Sequence, residues 1–193
     1  MNKPMAIIPA RASSKRVPGK NMRLFMGKPM LQMAIELAQS STLFDMIVVS
    51  SEADNTLALA GSWGAKPFRD LSNANDNSDT EEVIGHILDA YPEYDYACCL
   101  YTQAGAFMTP EILRQAYNMI EERPVVSWGS GGKDAGQFYW LYTPRFIGLW
   151  EKGIELNEQD IIKWIINDAL FQDINTEEDW QMAEEKYRRI HGV

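Results

Sequence analysis

Short unbroken apolar runs alternate along this chain with stretches in which apolar residues recur every three or four positions. Met5–Pro9, Met46–Ser50 and Tyr96–Tyr101 read as buried strands, and Val125–Trp128 and Gln137–Tyr142 as further strands. Between them, Met30 to Ala38 places Met30, Ala34, Leu37 and Ala38 on one helical face, and Ala53–Trp63 predicts a second helix. Ser78-Asp79-Thr80-Glu81 offers a capping box for a helix running through Ala90. Thr109-Pro110-Glu111 opens another, with Thr as N-cap and Pro at the first helical position. Thr176–Ile190 closes the chain as an amphipathic helix presenting Trp180, Ala183, Tyr187 and Ile190. Strands alternating with helices predict an α/β fold of three layers around a mainly parallel sheet. With 193 residues, 46% of them hydrophobic, one domain spanning the chain is expected.

Charge changes this picture at one place. The first 35 residues hold seven Lys or Arg and no Asp or Glu, although the chain as a whole carries -9, so the other 158 residues carry -16. A pI near 4.7 argues against a nucleic-acid backbone or an anionic membrane as the main partner. A small, highly charged ligand at one basic site fits better. The opening apolar run is too short for a signal peptide, and no stretch approaches a membrane span, so a soluble cytoplasmic protein is expected. Adjacent Cys98 and Cys99 cannot make a disulfide framework and are read as small buried hydrophobes.

Most of the positive charge follows the first strand, in Arg11 to Asn21. Arg11, Lys15 and Lys20 suit the charge of a triphosphate and of a departing pyrophosphate. Small Ala12, Ser13 and Ser14 allow backbone N–H groups to approach phosphate oxygens. Pro18-Gly19 turns the loop back, and Asn21 adds a directional donor and acceptor. This is not a Walker loop: Gly19-Lys20 is preceded by Ser14 where glycine is required and followed by Asn21, and Gly132-Lys133 fails in the same way. A solvated lysine-rich loop is the competing reading.

With the loop as Ile7-Ile8-Pro9-Ala10-Arg11 and Ser14-Lys15-Arg16-Val17-Pro18-Gly19-Lys20-Asn21, the sequence resembles the acylneuraminate cytidylyltransferases. Gly27-Lys28-Pro29-Met30, Leu43-Phe44-Asp45, Gly64-Ala65 and Cys98-Cys99-Leu100-Tyr101 follow in the family's order. Asp134-Ala135-Gly136-Gln137-Phe138-Tyr139-Trp140 is similar to the pseudaminic acid cytidylyltransferase branch, and Asp173 to Trp180 fits the family's ending. The resemblance implies a Rossmann-like nucleotidyltransferase fold and transfer of CMP from CTP to a 2-keto-3-deoxy sugar acid, releasing pyrophosphate. Its partners would be CTP and a small acidic sugar. It implies that Arg11, Lys15 and Lys20 hold the triphosphate, and that Pro9, Ala10, Ser14, Asn21, Arg69 and Gln103 meet the nucleotide. Asp134 and Gln137 would face the sugar.

Three departures qualify that expectation. The family's Mg²⁺-binding aspartate pair falls on Asp173 and Asn175, so one charge is missing; Asn175 either still contacts the metal or caps the helix after it. Only Ser127 to Lys133 stand where relatives insert a subunit-exchanging arm, so a monomer, or an oligomer unlike the family dimer, is expected. The stretch Tyr101 to Phe107 is one residue longer than the family's loop, and its glycine suggests a re-shaped pocket floor. His86 and His191 read as structural, and no residue stands out as a general base. Two other functions compete: a transferase using a preformed nucleotide-sugar, and a nucleotide-binding protein without turnover.

Overall fold

The computed structural model describes residues 4–12, 14, 16–71, 79–154 and 157–193. Lys15 and Ser13 of the basic loop, and Ser78 of the expected capping box, lie outside these. Strand β1 (Met5–Pro9) is the axis of the fold, with Met5 to Ile8 fully buried. It pairs in parallel with β4 (Met46–Ser51) on one side and β6 (Tyr96–Leu100) on the other. The sheet has seven strands in the order β5-β4-β1-β6-β8-β7-β9. Here β5 is Lys66–Arg69, β7 Val125–Gly129, β8 Asp134–Tyr142 and β9 Ile162–Ile166. Only β8 runs against its neighbours, β6 and β7. The chain leaves β1 toward β4 and β5 and later returns to β6 on the far side. That reversal of strand order opens a crevice at the carboxyl ends of β1 and β6.

Alternation along the strands divides the core. Ala6, Ile8, Cys98 and Leu100 face one layer, which includes α1 (Met30–Ser41), α5 (Pro110–Tyr117) and α7 (Glu177–His191). Met5, Ile7, Ala97 and Cys99 face the other, with α3 (Thr80–Ala90) and α6 (Thr143–Trp150). The two cysteines thus point to opposite faces, both free and fully buried, and burial pushes both thiols up. A helix α2 (Asp54–Ser62) joins β4 to β5. No helix of the described residues is long and apolar enough to cross a membrane.

Several elements depart from the sequence reading. The cap of α3 is Asp79, whose carboxylate accepts from the Glu82 N–H at 2.8 Å, one residue later than expected. Asn175 does not cap α7; Thr176 does, in a capping box with Asp179. Ile190, near the fraying end of α7, is 38% exposed instead of joining the core face. Strands β5 and β9 and helix α6 were not foreseen. Lys66-Pro67-Phe68-Arg69 and Ile162-Lys163-Trp164 are sheet edges, where one side of the strand is open and no continuous apolar run is required.

Two local features position the site. A hairpin, β2 (Leu24–Phe25) with β3 (Lys28–Pro29), turns through Met26 and Gly27, both at positive φ as a type I′ turn requires. Its Phe25 packs edge-on against Trp180 at 5.4 Å and Tyr187 at 5.5 Å, which seats α7 beside the basic loop. The β7–β8 connection, between Gly129 and Asp134, is a tight turn. Gly129 N–H donates to the Lys133 carbonyl (2.7 Å), and Asp168 accepts from Gly131 N–H (2.9 Å).

Candidate active site

A cavity of about 720 Å³ occupies the crevice at the carboxyl ends of β1 and β6 and the amino end of β8. That size lies within the range of small-molecule sites. The exit of β1 brings in Pro9, Arg11 and Ser14; the turn after it brings Arg16, Lys20 and Asn21. Lys20 lies where the loop closes: its Nζ donates to the Ile174 carbonyl at 2.9 Å. Burial lowers its pKa most, the Asp173 carboxylate opposes this, and Arg16 and Arg11 lower it further. Three cations therefore share one wall.

Asn21 lines the cavity, but its amide is spent on the loop itself. Its Nδ2 donates to the Arg11 carbonyl and its Oδ1 accepts from the Thr102 hydroxyl, both at 2.8 Å. With the residue only 6% exposed, this clip fastens the basic loop to the exit of β6. Asn21 positions the loop more directly than it meets a ligand.

Asp173 stands opposite, half-buried, on the segment before α7. Its Oδ2 accepts from Asn175 Nδ2 at 2.5 Å and its Oδ1 from Gln103 Nε2 at 3.3 Å. Burial raises its pKa; Lys20 and the Asn175 hydrogen bond pull it down, and Asp134 raises it. The segment is braced by Asp179 of the capping box, which accepts from the Asn175 N–H at 2.9 Å and the Thr176 N–H at 2.8 Å. Gln103 is 2% exposed; its Nε2 also donates to the Gly136 carbonyl at 2.8 Å, and its Oε1 is buried without a partner. Such an orphaned acceptor at a cavity wall is satisfied by a ligand donor or water.

On the β8 side, Asp134 accepts from the Gly136 N–H at 2.7 Å and from the Tyr139 hydroxyl. Tyr101 and Tyr139 stack edge to face at 5.7 Å, and the Tyr101 hydroxyl shares a 3.0 Å hydrogen bond with Thr80. Burial holds both phenols well above their usual range, so they act as neutral donors.

Three expected site residues are elsewhere. Gln137 is fully buried, its Nε2 donating to the Ala135 carbonyl (2.8 Å) and the Gln172 carbonyl (3.4 Å), so it does not face a sugar. The resemblance had put it on the sugar side. Gly136 at φ 60° and the register shift opposite Val126 and Trp128 break the alternation there. Arg69 lies at the sheet edge, donating to the Glu52 carbonyl at 3.0 Å and paired with Asp54, outside the cavity lining. Ala10 is fully buried and its N–H continues the sheet to the Ser50 carbonyl at 2.8 Å. Arg16, Thr80, Tyr101 and Tyr139, unforeseen, line the cavity instead. Of these Arg16 had a signal in its place in the basic run, and Tyr101 and Tyr139 only in lying within segments that carry the resemblance. Gly105, expected at the pocket floor, lies in a short helix, α4 (Ala104–Phe107), against the backbone of α1.

Comparison with known proteins fits this arrangement to a family. The sequence profile described as "Cytidylyltransferase" matches residues 5–146, from β1 into α6. The chain belongs to the cytidylyltransferase family. It is 39% identical over 121 residues to the pseudaminic acid cytidylyltransferase of Campylobacter jejuni subsp. jejuni serotype O:2, covering 60% of this chain and 52% of that one. It is 35% identical over 130 residues to the CMP-N,N'-diacetyllegionaminic acid synthase of Legionella pneumophila, covering 64% of this chain and 56% of that one. The chain thus spans about half the length of these curated relatives. Among solved structures, a CMP:2-keto-3-deoxy-manno-octonic acid synthetase complexed with CTP superposes with a TM-score of 0.77 over 100% of both chains at 14% identity. The 4-diphosphocytidyl-2C-methyl-D-erythritol synthase of Anaerococcus prevotii gives 0.70 at 13% identity, over 97% of each chain. At such identities these two establish the Rossmann-like nucleotidyltransferase fold.

Among the described residues no cluster of three or more His, Cys, Asp or Glu forms a ready metal cage. The donor set nonetheless fits a hard cation held mainly by substrate phosphates, since Mg²⁺ commonly takes only one or two protein carboxylates. Asp173, half-buried and beside Lys20, is a carboxylate that could serve in that way. Asn175 turns its amide nitrogen to Asp173, so it orients that carboxylate and does not present its oxygen with it.

Proposed function

We propose that this chain transfers CMP from CTP to the anomeric hydroxyl of a 2-keto-3-deoxy sugar acid. The observation that carries the reading is the convergence of Arg11, Arg16 and Lys20 with Asp173 on one cavity at the strand-order reversal. In the reaction, the acceptor oxygen forms a bond to the α-phosphorus as the bond to the bridging oxygen of the β-phosphate breaks. The hydroxyl proton leaves to solvent or base, and pyrophosphate carries away the electron pair. Arg11, Arg16 and Lys20 offset charge growing on the departing group, in a site already partly withdrawn from water. Asn21 and Thr102 hold the loop so that this charge is pre-positioned. Mg²⁺, when held by Asp173 and substrate phosphates, would neutralise phosphate charge and favour in-line attack. Lys15 belongs to the same proposal on sequence grounds.

The experiment is CTP binding by calorimetry together with pyrophosphate release in the presence of Mg²⁺ and a panel of keto-deoxy sugar acids. Binding with acceptor-dependent release is expected. Binding without release on any acceptor would leave a nucleotide-binding protein, and absence of binding would remove the reading altogether.

The metal half has its own test. In Asn175→Asp, a donor facing Asp173 becomes a second carboxylate, and two like charges so close need a cation between them. Without divalent ions the variant is expected to melt below wild type. With Mg²⁺ it should recover and require several-fold less Mg²⁺ for half-maximal stabilisation. An unchanged Mg²⁺ dependence of melting and of turnover would remove position 175 from the metal's surroundings.

A further inference from the structure

We propose that Arg23 is a positioning residue, whose clasp on Glu177 and Trp180 sets the Asp173 segment against the phosphate loop so that metal and triphosphate are held in register. This rests on the cytidylyltransferase reading above and names a residue outside the cavity on which that reaction depends. Of the basic residues in the opening stretch, Arg11, Arg16 and Lys20 line the cavity, and Arg23 does not. Its charge is spent on α7 instead. Nη1 donates to Glu177 Oε2 at 2.6 Å and Nη2 to Oε1 at 2.8 Å, a two-pronged contact that fixes direction as well as distance. The guanidinium carbon also lies 4.2 Å from the centre of the Trp180 ring.

Both ends of the clasp are anchored. The Arg23 N–H donates to the Gly19 carbonyl at 2.8 Å, closing the turn that carries Lys20, and its own carbonyl accepts from the Met30 N–H at the start of α1. Trp180 is fully buried; its Nε1 donates to Glu184 at 3.0 Å, and Phe25 packs edge-on against it. Glu177 is the first residue of α7. Just before it, Asn175 donates to Asp173, and Asp179 holds the N–H groups of Asn175 and Thr176. The path from the Lys20 turn to the Asp173 carboxylate thus runs through one side chain and the first turn of a helix. An ion pair this exposed ordinarily contributes little to stability. Here the two-pronged geometry and the fixed ring leave the arginine few alternatives, so its effect falls on alignment. Lys20 makes an inner tie, to the Ile174 carbonyl, but its ammonium must also meet the triphosphate. Arg23 has no such second duty. Misplacing a reacting group by about 1 Å costs roughly 10²-fold, and losing a residue that orients a metal ligand costs about 10- to 100-fold.

The test compares the full-length wild type with Arg23→Gln, Arg23→Lys, Glu177→Gln and the Arg23→Gln/Glu177→Gln double variant, all below the melting transition of the least stable. Lys163→Gln is the control. That lysine too lies over a tryptophan, 4.0 Å from the centre of the Trp128 ring, and pairs with Glu158 at 2.7 Å, but none of the three lines the cavity. In Arg23→Gln the Mg²⁺ needed for half-maximal pyrophosphate release is expected to rise about 10-fold and kcat to fall about 10-fold. Calorimetric CTP affinity without divalent ions should stay within about twofold, because the cationic wall is untouched, while its gain on adding Mg²⁺ should shrink about 10-fold. Arg23→Lys and Glu177→Gln should give smaller losses of the same kind, since each keeps a cation on Trp180 and loses the paired contact. The double variant should be no worse than Arg23→Gln, as befits one shared interaction. Hydrogen exchange at the Asn175 and Thr176 amides should quicken about 10-fold in Arg23→Gln and stay unchanged in Lys163→Gln. Equal loss of CTP affinity with and without Mg²⁺ would overturn the proposal by moving Arg23 into the triphosphate site. Equal effects in Lys163→Gln would overturn it by reducing the clasp to general stability. If wild type binds no CTP, the reading above fails and this one with it; if wild type turns over and Arg23→Gln keeps the wild-type Mg²⁺ response, this one fails alone. Unchanged amide exchange in Arg23→Gln would overturn the clasp in either case.

Discussion

Lys20→Ala is expected to lower kcat/KM for CTP by about 10²-fold or more, whereas Lys28→Ala should remain within about twofold. The two lysines lie in the same basic stretch but not in the same environment. Lys28 is on the surface, its Nζ 2.6 Å from Glu36, an exposed pair worth little. Lys20 is withdrawn from water, which works against its charge, and it is retained beside Asp173 with its Nζ on the Ile174 carbonyl. It thus has two duties: a cation aimed into the cavity, and a tie between the phosphate loop and the segment that bears Asp173. Alanine removes both. Charge on a leaving pyrophosphate is met in a low-dielectric site by groups already in place, and removing one such group typically costs about 10²- to 10³-fold. Lys20→Arg should rescue only part of the loss, because a planar guanidinium cannot reproduce the single ammonium contact at Ile174. The measurements are calorimetric CTP affinity, pyrophosphate release and a melting curve that verifies the fold. Equal behaviour of the Lys20 and Lys28 variants would mean that the basic loop is merely solvated.

The contrast between these lysines also shows what could be read from the chain and what could not. Clustering of charge after β1 located the cationic wall, because seven unopposed basic residues in 35 are visible without geometry. The cap at Thr109 was visible because capping is a local matter of side chain and backbone a few residues apart, whereas the cap of α7 is Thr176, one residue beyond the Asn175 candidate. Arg69 was misplaced for the opposite reason. Its guanidinium is claimed by Glu52 and Asp54, partners that only the β4–β5 pairing brings near. Gln137 was misplaced because the resemblance gives a position in the chain and not a side-chain direction, and its amide is taken up by the Ala135 and Gln172 carbonyls. Tyr139 was given no role, since its place at the site depends on a hydrogen bond to Asp134 five residues earlier in a strand whose register shifts nearby. Edges β5 and β9 escaped because half-exposed strands carry no continuous apolar run. The family resemblance supplied Asp173, which no local pattern marks.

Gly105→Ala is expected to destabilise the protein by about 3 kcal/mol, at the upper end of overpacking costs, and to lower Tm by about 6–12 °C for a chain of this size. The sequence suggested that this glycine shapes the pocket floor; its surroundings give another reason for it. A Cβ here would lie 2.3 Å from the Ala34 nitrogen and 2.4 Å from the Met33 carbonyl carbon. Those are backbone atoms of α1, so no rotamer change can make room. Either α4 lifts off α1, or α1 moves away from the sheet with Met30, Leu31, Ala34 and Ile35, all fully buried. Gly148→Ala is the proper comparison. That glycine lies within α6 with nothing within 4 Å of its would-be Cβ, so alanine there should be neutral or stabilising by up to about 1 kcal/mol. The clash also reaches the site. Thr102 and Gln103 immediately precede α4, so lifting it disturbs the Thr102–Asn21 hydrogen bond that fastens the phosphate loop and the Gln103 amide that spans Gly136 and Asp173. CTP affinity should therefore fall in Gly105→Ala even below its melting transition and remain unchanged in Gly148→Ala. Wild-type melting and CTP binding in Gly105→Ala would show that α4 is not seated on α1 and that the loop is held without it.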